Sequence, residues 1–257
     1  MNKRRLKARL KAEAREQLLF ITRMERRFQV ELRKELTLTG RQAAEMFPVW
    51  EKAIPQHQHR LQSLLEKWLM NLATDAGNRI RLSFKSAHLL DRVEIKLDTS
   101  EQLAKRISKW ARKHSAKKVV DISKTTERRI RRTIIEGLND DLSPAEIARN
   151  IVDDNDDISL GRAKTIARTE THTAAMTGQQ MNMEEASEDL GMEMNKVWIS
   201  TEDARTRQSH IDADGQTVGM REWFKVGESE LYIPGDPDGA PEEVINCRCA
   251  VTYEPAP

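Results

Sequence analysis

The chain has 257 residues, with 43 Lys plus Arg against 41 Asp plus Glu, two Cys, and charged side chains at 33% of positions. Two cysteines cannot staple a fold of this length, which excludes a disulfide scaffold and favours a reducing compartment. No apolar run reaches the roughly 18 residues a membrane span needs, and the basic start Lys3-Arg4-Arg5 lacks the apolar stretch of a secretory signal. The near-neutral total hides a split: residues 1–135 carry a net charge of +18 and residues 136–257 a net charge of −16. Such asymmetry predicts different partners for the two halves, with an anionic polymer the candidate for the first.

In chain order, Leu6, Leu10, Leu18, Ile21, Met24 and Phe28 recur at helical intervals, so the first 35 residues read as one helix. Thr37 to Gly40 breaks that pattern, and Pro48 and Pro55 punctuate a connector. A second helix is predicted from Gln56 to about Leu90, with Leu61, Leu65, Trp68 and Leu72 on its stripe. A third starts near Ser100 and carries Leu103, Ile107 and Trp110. A fourth spans Ser123 to Leu138. Ser143-Pro144-Ala145-Glu146 has the form of a capping box with proline at the first helical position, and predicts a short helix that closes in Asp153-Asp154-Asn155-Asp156-Asp157. The spacing of that acidic stretch does not fit a calcium loop. A longer helix then covers Leu160 to Leu190.

After Gly191 the pattern changes. Val197 to Ser200 reads as a strand, Asp203 to His210 as a helical turn, and Asp214-Gly215 as a tight turn. Pro234 to Pro241 reads as an irregular loop. Val244 to Val251 alternates at period two, which predicts a strand with Ile245, Cys247, Cys249 and Val251 on one face. The fold class is therefore α+β: a mostly α-helical N-terminal half, then a small C-terminal module with short antiparallel strands. The division predicted is a basic helical region over 1–122 and a second domain over 123–257, with helices to 190 and the α+β module over 191–257.

Three clusters could carry chemistry. Residues 101–135 hold twelve basic side chains against three acidic ones. Lys105, Lys109, Arg112 and Lys113 fall on one predicted helix, and Arg128, Arg129, Arg131 and Arg132 on the next. Such arrays neutralise phosphates without reading bases, and the same runs also suit solvated helix faces. Glu170 and His172 are two apart on a helix, a poor spacing for an acid/base pair, so Glu170 reads better as a buried polar anchor needing a partner. Cys247 and Cys249 read as two buried thiols, or as a soft metal site with His210 as third ligand.

The elements Arg168-Thr169-Glu170, Trp198, Asp203-x-Arg205-Thr206-x-x-x-His210, Asp214-Gly215, Pro234-Gly235 and Asn246-Cys247-Arg248-Cys249, in that order, resemble the phage Mu F-like minor head proteins, the phage head morphogenesis family. The likeness spans about residues 125–253. It implies a minor capsid protein of a tailed phage, located in the virion at the portal vertex or capsid interior and in the host cytoplasm during assembly. The implied partners are the portal protein, the major capsid or scaffolding protein, and double-stranded DNA bound non-specifically, with no membrane. No catalytic activity is implied, although related domains occur fused to toxins. A nuclease or transferase using His210 with Glu170 or Asp203 is the alternative. Many members carry Cys-x-x-Cys where Arg207 and His210 stand here, and His-Pro where Val244 and Ile245 stand, groups that look like a zinc site. Here His210, Cys247 and Cys249 remain, so four-coordinate zinc would draw on Asp203 or Asp212. Otherwise packing and an Arg–carboxylate pair hold the module.

Overall fold

The computed structural model describes residues 3–87 and 100–257, without the side chains of 3, 4, 85–87, 157 and 158. Four long helices come first: α1 (Lys3–Glu45), α2 (Ala53–Ala87), α3 (Glu101–Asn139) and α4 (Pro144–Leu190). The chain divides into two compact units: Met1–Glu25, Met70–Lys109 and Arg168–Pro257 form one, and Arg26–Leu69 with Trp110–Ala167 the other.

In three places the helices run on where the sequence pattern predicts a stop. α1 continues through Thr37–Gly40 to Glu45. The Thr39 hydroxyl donates to the Glu35 carbonyl and meets His57 Nδ1 at 2.7 Å, so a residue that competes with helix is used within it. Gly40 has no room for a β-carbon, which would stand 2.5 Å from the Asn155 amide nitrogen, and that amide donates to the Leu36 carbonyl at 2.6 Å. The two helices predicted over 100–138 are one continuous α3. The acidic stretch after Asp153 does not end a helix either, because α4 runs 47 residues through it. Asp154 accepts from Thr133 at 2.8 Å and Asp156 lies 3.7 Å from Arg41, which relieves some of the repulsion. The predicted capping box is present: Ser143 N–H donates to Glu146 Oε2 at 2.8 Å, and Glu146 N–H to the Ser143 hydroxyl at 3.4 Å.

The second unit has its own apolar interior. Ala43, Trp50, Ile54, Ile130, Ile147 and Ile151 form one cluster, and Phe28 stacks on Trp68 with ring centroids 4.8 Å apart. In the first unit the module after Gly191 contains β1 (Met194–Ile199), α5 (Gln208–Asp212), β2 (Thr217–Gly219), β3 (Phe224–Val226), β4 (Ser229–Leu231), α6 (Pro241–Val244) and β5 (Ala250–Pro255). β1 is the centre of an antiparallel sheet ordered β2-β1-β5, in which Trp198 opposes Val251, and β3 pairs with β4 as a hairpin. Met194 and Trp198 face a core shared with Phe224, Val226, Leu231, Val251 and Tyr253, while Val197 and Ile199 pack on Leu10 and Ala14 of α1. Strand alternation places these two sets on opposite faces of β1.

The predicted strand over 244–251 is displaced. Pairing starts only at Ala250, because Val244 closes the α6 turn and Asn246 takes a left-handed backbone conformation with φ 59°. The alternation therefore fails at its first member: Ile245 is 42% exposed, whereas Cys247 and Cys249 are buried. The helical turn predicted over Asp203–His210 also begins later, at Gln208.

Candidate functional site

The Arg168–Thr173 segment of α4 holds the Asn246–Cys249 loop. Thr169 Oγ1 accepts the Asn246 N–H at 3.2 Å, His172 Nε2 donates to the Cys249 carbonyl at 2.7 Å, and Thr173 donates to the Gly235 carbonyl at 2.8 Å. Residues far apart in sequence thus satisfy backbone groups of two irregular loops, the Asn246–Cys249 loop and the turn at Gly235, which strands or helices would otherwise satisfy themselves. Gly235 sits at φ 73°, and a β-carbon there would lie 2.4 Å from His172 Nδ1. The glycine admits both the turn and the close approach of the ring. Arg168 pairs with Glu25 at 3.2 Å. Glu170 is 4% exposed, as a polar anchor should be, which argues against its acting with His210 on a solvent-borne substrate.

On the other side of the loop, Asp203 opens a turn. Its Oδ1 accepts the Arg205 N–H at 2.9 Å and the Thr206 hydroxyl at 3.2 Å, while Arg205 itself is exposed. The Arg248 guanidinium grips both Asp203 oxygens, one of them at 2.7 Å. The hydrogen bond from Arg248 is the main reason the Asp203 carboxyl is held far below the usual range. This is the Arg–carboxylate pair of the module, and Thr201 secures the Arg248 carbonyl at 2.5 Å. Asp214 accepts the Ser200 N–H at 2.9 Å and Gly215, at φ 79°, donates to the Trp198 carbonyl at 2.8 Å, so that turn locks the end of β1. Arg207 donates to the Ile245 carbonyl at 2.6 Å.

Between these two supports lies a thiol–imidazole cluster. His210 Nδ1 is 3.2 Å from Cys249 Sγ and 3.7 Å from Cys247 Sγ. His210 Nε2 lies 2.8 Å from Glu243 Oε2, which also accepts from Ser209 at 2.9 Å. Trp198 meets the His210 ring edge-on, with centroids 5.4 Å apart. A hydrogen bond from the Cys249 thiol holds Cys247 well below the ordinary thiol range, with burial opposing and the charges of His172 and His210 assisting; the same bond and burial push Cys249 far up. For His210, burial depresses the pKa, but the hydrogen bonds and charges of Cys247 and Glu243 outweigh it and the net shift is upward.

The donors of His210, Cys247 and Cys249 lie within 4.8 Å of one another. Two donors on one zinc ion, at bond lengths of ~2.3 Å to sulfur and ~2.0 Å to nitrogen in a tetrahedral arrangement, stand roughly 3.6 Å apart. The distances from Nδ1 to the two sulfurs fit that spacing, and two thiols with an imidazole are a soft donor set. Neither sequence candidate for a fourth ligand joins them. Asp203 is engaged by Arg248, and Asp212 accepts from Gln208 at 2.7 Å.

Two further residues were not singled out from sequence. Glu243 lies 33 residues from His210, in an acidic run with no distinguishing spacing. Lys196 is fully buried on the Trp198 face of β1, donates to the Tyr232 carbonyl at 2.7 Å and stands 3.5 Å from the Tyr232 ring centroid. Burial pushes its pKa down to about 7, partly offset by Glu184, Asp236 and Glu222.

The eight predicted phosphate contacts all lie on α3, Lys105 and Lys109 in the first unit and Arg112, Lys113, Arg128, Arg129, Arg131 and Arg132 in the second. All but Arg129 are exposed. Four have carboxylates nearby: Lys105 with Glu101, Arg112 with Glu66, Arg131 with Glu127 and Arg132 with Glu136. Arg131 also covers the Trp50 ring at 5.4 Å. Among the described residues, no helix is long and apolar enough to cross a membrane.

Residues 98–252 match the model of the family described as Phage Mu protein F like protein. Over 116 residues, 45% of this chain and 23% of the relative, the sequence is 38% identical to an NAD(+)–arginine ADP-ribosyltransferase, EFV, of Enterococcus faecalis. Over 101 residues, 37% of this chain and 30% of the relative, it is 36% identical to the minor head protein GP7 of Bacillus phage SPP1. Over 154 residues, 58% of this chain and 49% of the relative, it is 26% identical to the uncharacterized protein YqbB of Bacillus subtilis. The chain thus spans no more than about half the length of these relatives. No solved structure matches it. The family match and the likeness to GP7 support a role in phage head morphogenesis. The family match takes in α3, α4, the Asp203–Arg248 pair and the thiol–imidazole cluster, and the chain belongs to the Phage Mu protein F like family.

Proposed function

We propose that the chain is a minor head protein that docks on the portal through its C-terminal module and holds packaged DNA through the exposed cations of α3. The observation that carries this reading is the family match over residues 98–252, joined to the likeness to a phage minor head protein. The physical properties of the two parts agree with it. A module braced at Thr169, His172, Thr173, Asp203 and Arg248 presents a fixed surface, which lowers the ordering cost of docking. Exposed Lys and Arg on one long helix suit backbone contact, which needs charge and no base readout. The carboxylates beside four of those cations weaken their field and limit non-specific affinity.

The transferase reading draws on the name of a relative of which 23% is matched. His210 is 1% exposed and the Asp203 carboxylate is held by Arg248, which leaves neither group presented to a substrate. The test pairs two measurements on the full chain: co-purification with the portal protein, and DNA affinity across a salt series. Portal association together with a steep, sequence-independent salt dependence supports the proposal. A chain that binds neither overturns it.

A further inference from the structure

The thiol–imidazole cluster has a feature that two buried thiols and a core histidine would not need. His210 is fixed by a carboxylate on one side and aimed at two sulfurs on the other. The Glu243 carboxylate accepts from Nε2 at 2.8 Å, and its Oε2 is itself held by the Ser209 hydroxyl at 2.9 Å. With the proton on Nε2, the Nδ1 lone pair points toward Cys249 at 3.2 Å and Cys247 at 3.7 Å. A carboxylate on the far nitrogen of an imidazole is the usual second partner of a metal-bound histidine, because it sets the tautomer and the ring direction. The edge of Trp198 against the His210 ring restrains it further. The loop that carries the sulfurs is anchored from outside the cluster, at Asn246 N–H, the Arg248 carbonyl and the Cys249 carbonyl. The sulfur positions are therefore set by bonds that a bound ion would not disturb.

We propose that Glu243 is the positioning residue of a metal site in which His210 Nδ1, Cys247 Sγ and Cys249 Sγ hold one thiophilic d10 cation, zinc(II) or copper(I). Both ions lack a d-electron preference for geometry and take thiolate and imidazole donors. With three donors from the chain, the site differs from one closed by four protein ligands. This inference does not depend on the portal or DNA reading.

The experiment uses the full chain, reduced and stripped with a chelator, and titrates it separately with cobalt(II) as a probe for zinc, with zinc(II), and with copper(I) under anaerobic conditions. One equivalent of at least one ion is expected to bind and raise the melting temperature. For cobalt, a sulfur-to-metal charge-transfer band is expected. Zinc with cobalt, or copper alone, identifies which ion the site takes. Cys249→Ser should abolish binding. Glu243→Gln should keep the same cobalt spectrum and weaken the affinity about 10- to 100-fold, whereas the exposed neighbour Glu242→Gln should bind as the unaltered chain does. A merely structural Glu243 would lower the melting temperature of the metal-free protein and leave the metal affinity unchanged. No binding of any of the three ions by the unaltered chain, or equal affinity in Glu243→Gln, overturns the proposal.

Discussion

Two glycines on one helix should respond in opposite directions to the same substitution. At Gly178 an added β-carbon would stand 2.0 Å from the Ala73 carbonyl oxygen and 2.5 Å from its carbonyl carbon and Cα. These are backbone atoms of α2, so no side-chain rotation relieves the clash. Carbon and oxygen sit comfortably at ~3.3 Å, so α2 and α4 would have to separate locally by roughly 1 Å. The packing at risk includes Ala76, Ile80, Ala175 and Met183 of one core. Overpacking of this kind costs about 3 kcal/mol at the upper end of its usual range, and the helix propensity of alanine over glycine returns about 1 kcal/mol. Gly178→Ala should therefore lose about 2 kcal/mol. At Gly161 nothing lies within 4 Å of the added carbon, so Gly161→Ala should gain about 1 kcal/mol from propensity alone. For a chain of this size those values correspond to a fall of about 4–8 °C and a rise of about 2–4 °C in melting temperature. Urea and thermal unfolding followed by the helix signal would measure both. Equal shifts of the same sign would refute the close α2–α4 approach at Ala73.

Further outcomes follow from single groups. Lys196 binds its proton less readily when folded, near pH 7, than in the unfolded chain, near 10.5. The unfolded state therefore holds more protons between these values, and burial of Lys196 becomes less costly as pH rises through that window. Lys196→Met should gain stability relative to the unaltered chain near pH 7, and that advantage should shrink toward pH 10 in paired denaturation curves; parallel curves would refute the buried charge. Asp203→Asn removes the carboxylate gripped by Arg248, and a partly exposed pair of this kind should cost about 1 kcal/mol in urea unfolding at neutral pH. Since the folded Asp203 pKa is depressed, that stabilisation is present above the ordinary carboxylate range and is lost as pH falls through the folded value. Reversal of Arg128, Arg129, Arg131 and Arg132 to Glu should weaken DNA binding and flatten the log–log salt slope, by about 0.9 for each phosphate no longer neutralised; an unchanged slope would remove α3 from the DNA interface.

The sequence patterns that transfer to structure are those whose physics is local. Ser143 and Glu146 cap α4 because both halves of the exchange lie within four residues, and Gly215 reaches its left-handed turn beside Asp214 for the same reason. Helix ends marked only by weak helix formers do not hold. Thr39 and Gly40 remain in α1 because His57 and Asn155, distant in sequence, meet them there. The run after Asp153 remains in α4 with Thr133 and Arg41 against its carboxylates. Period-two alternation misplaces β5 because it cannot register one residue at φ 59°, and Asn246 shifts the pairing to Ala250. At the cluster, the thiols and His210 stand out by residue type, while Glu243 does not. What selects it is the fold of α6 against α5, which brings one acid of several to the imidazole. The motif Arg168-Thr169-Glu170 is legible in the sequence, but the work of its segment, hydrogen bonding from Thr169, His172 and Thr173 to two loops some 60–80 residues later, is not.

The most direct test of the proposed role is quantitative mass spectrometry of empty and DNA-filled phage heads assembled in cells that express this chain with its neighbouring head genes, with the portal protein as internal standard. A low, fixed ratio to portal in the filled heads is the result expected of a minor head protein bound at the vertex. Absence of the chain from both kinds of particle would contradict it.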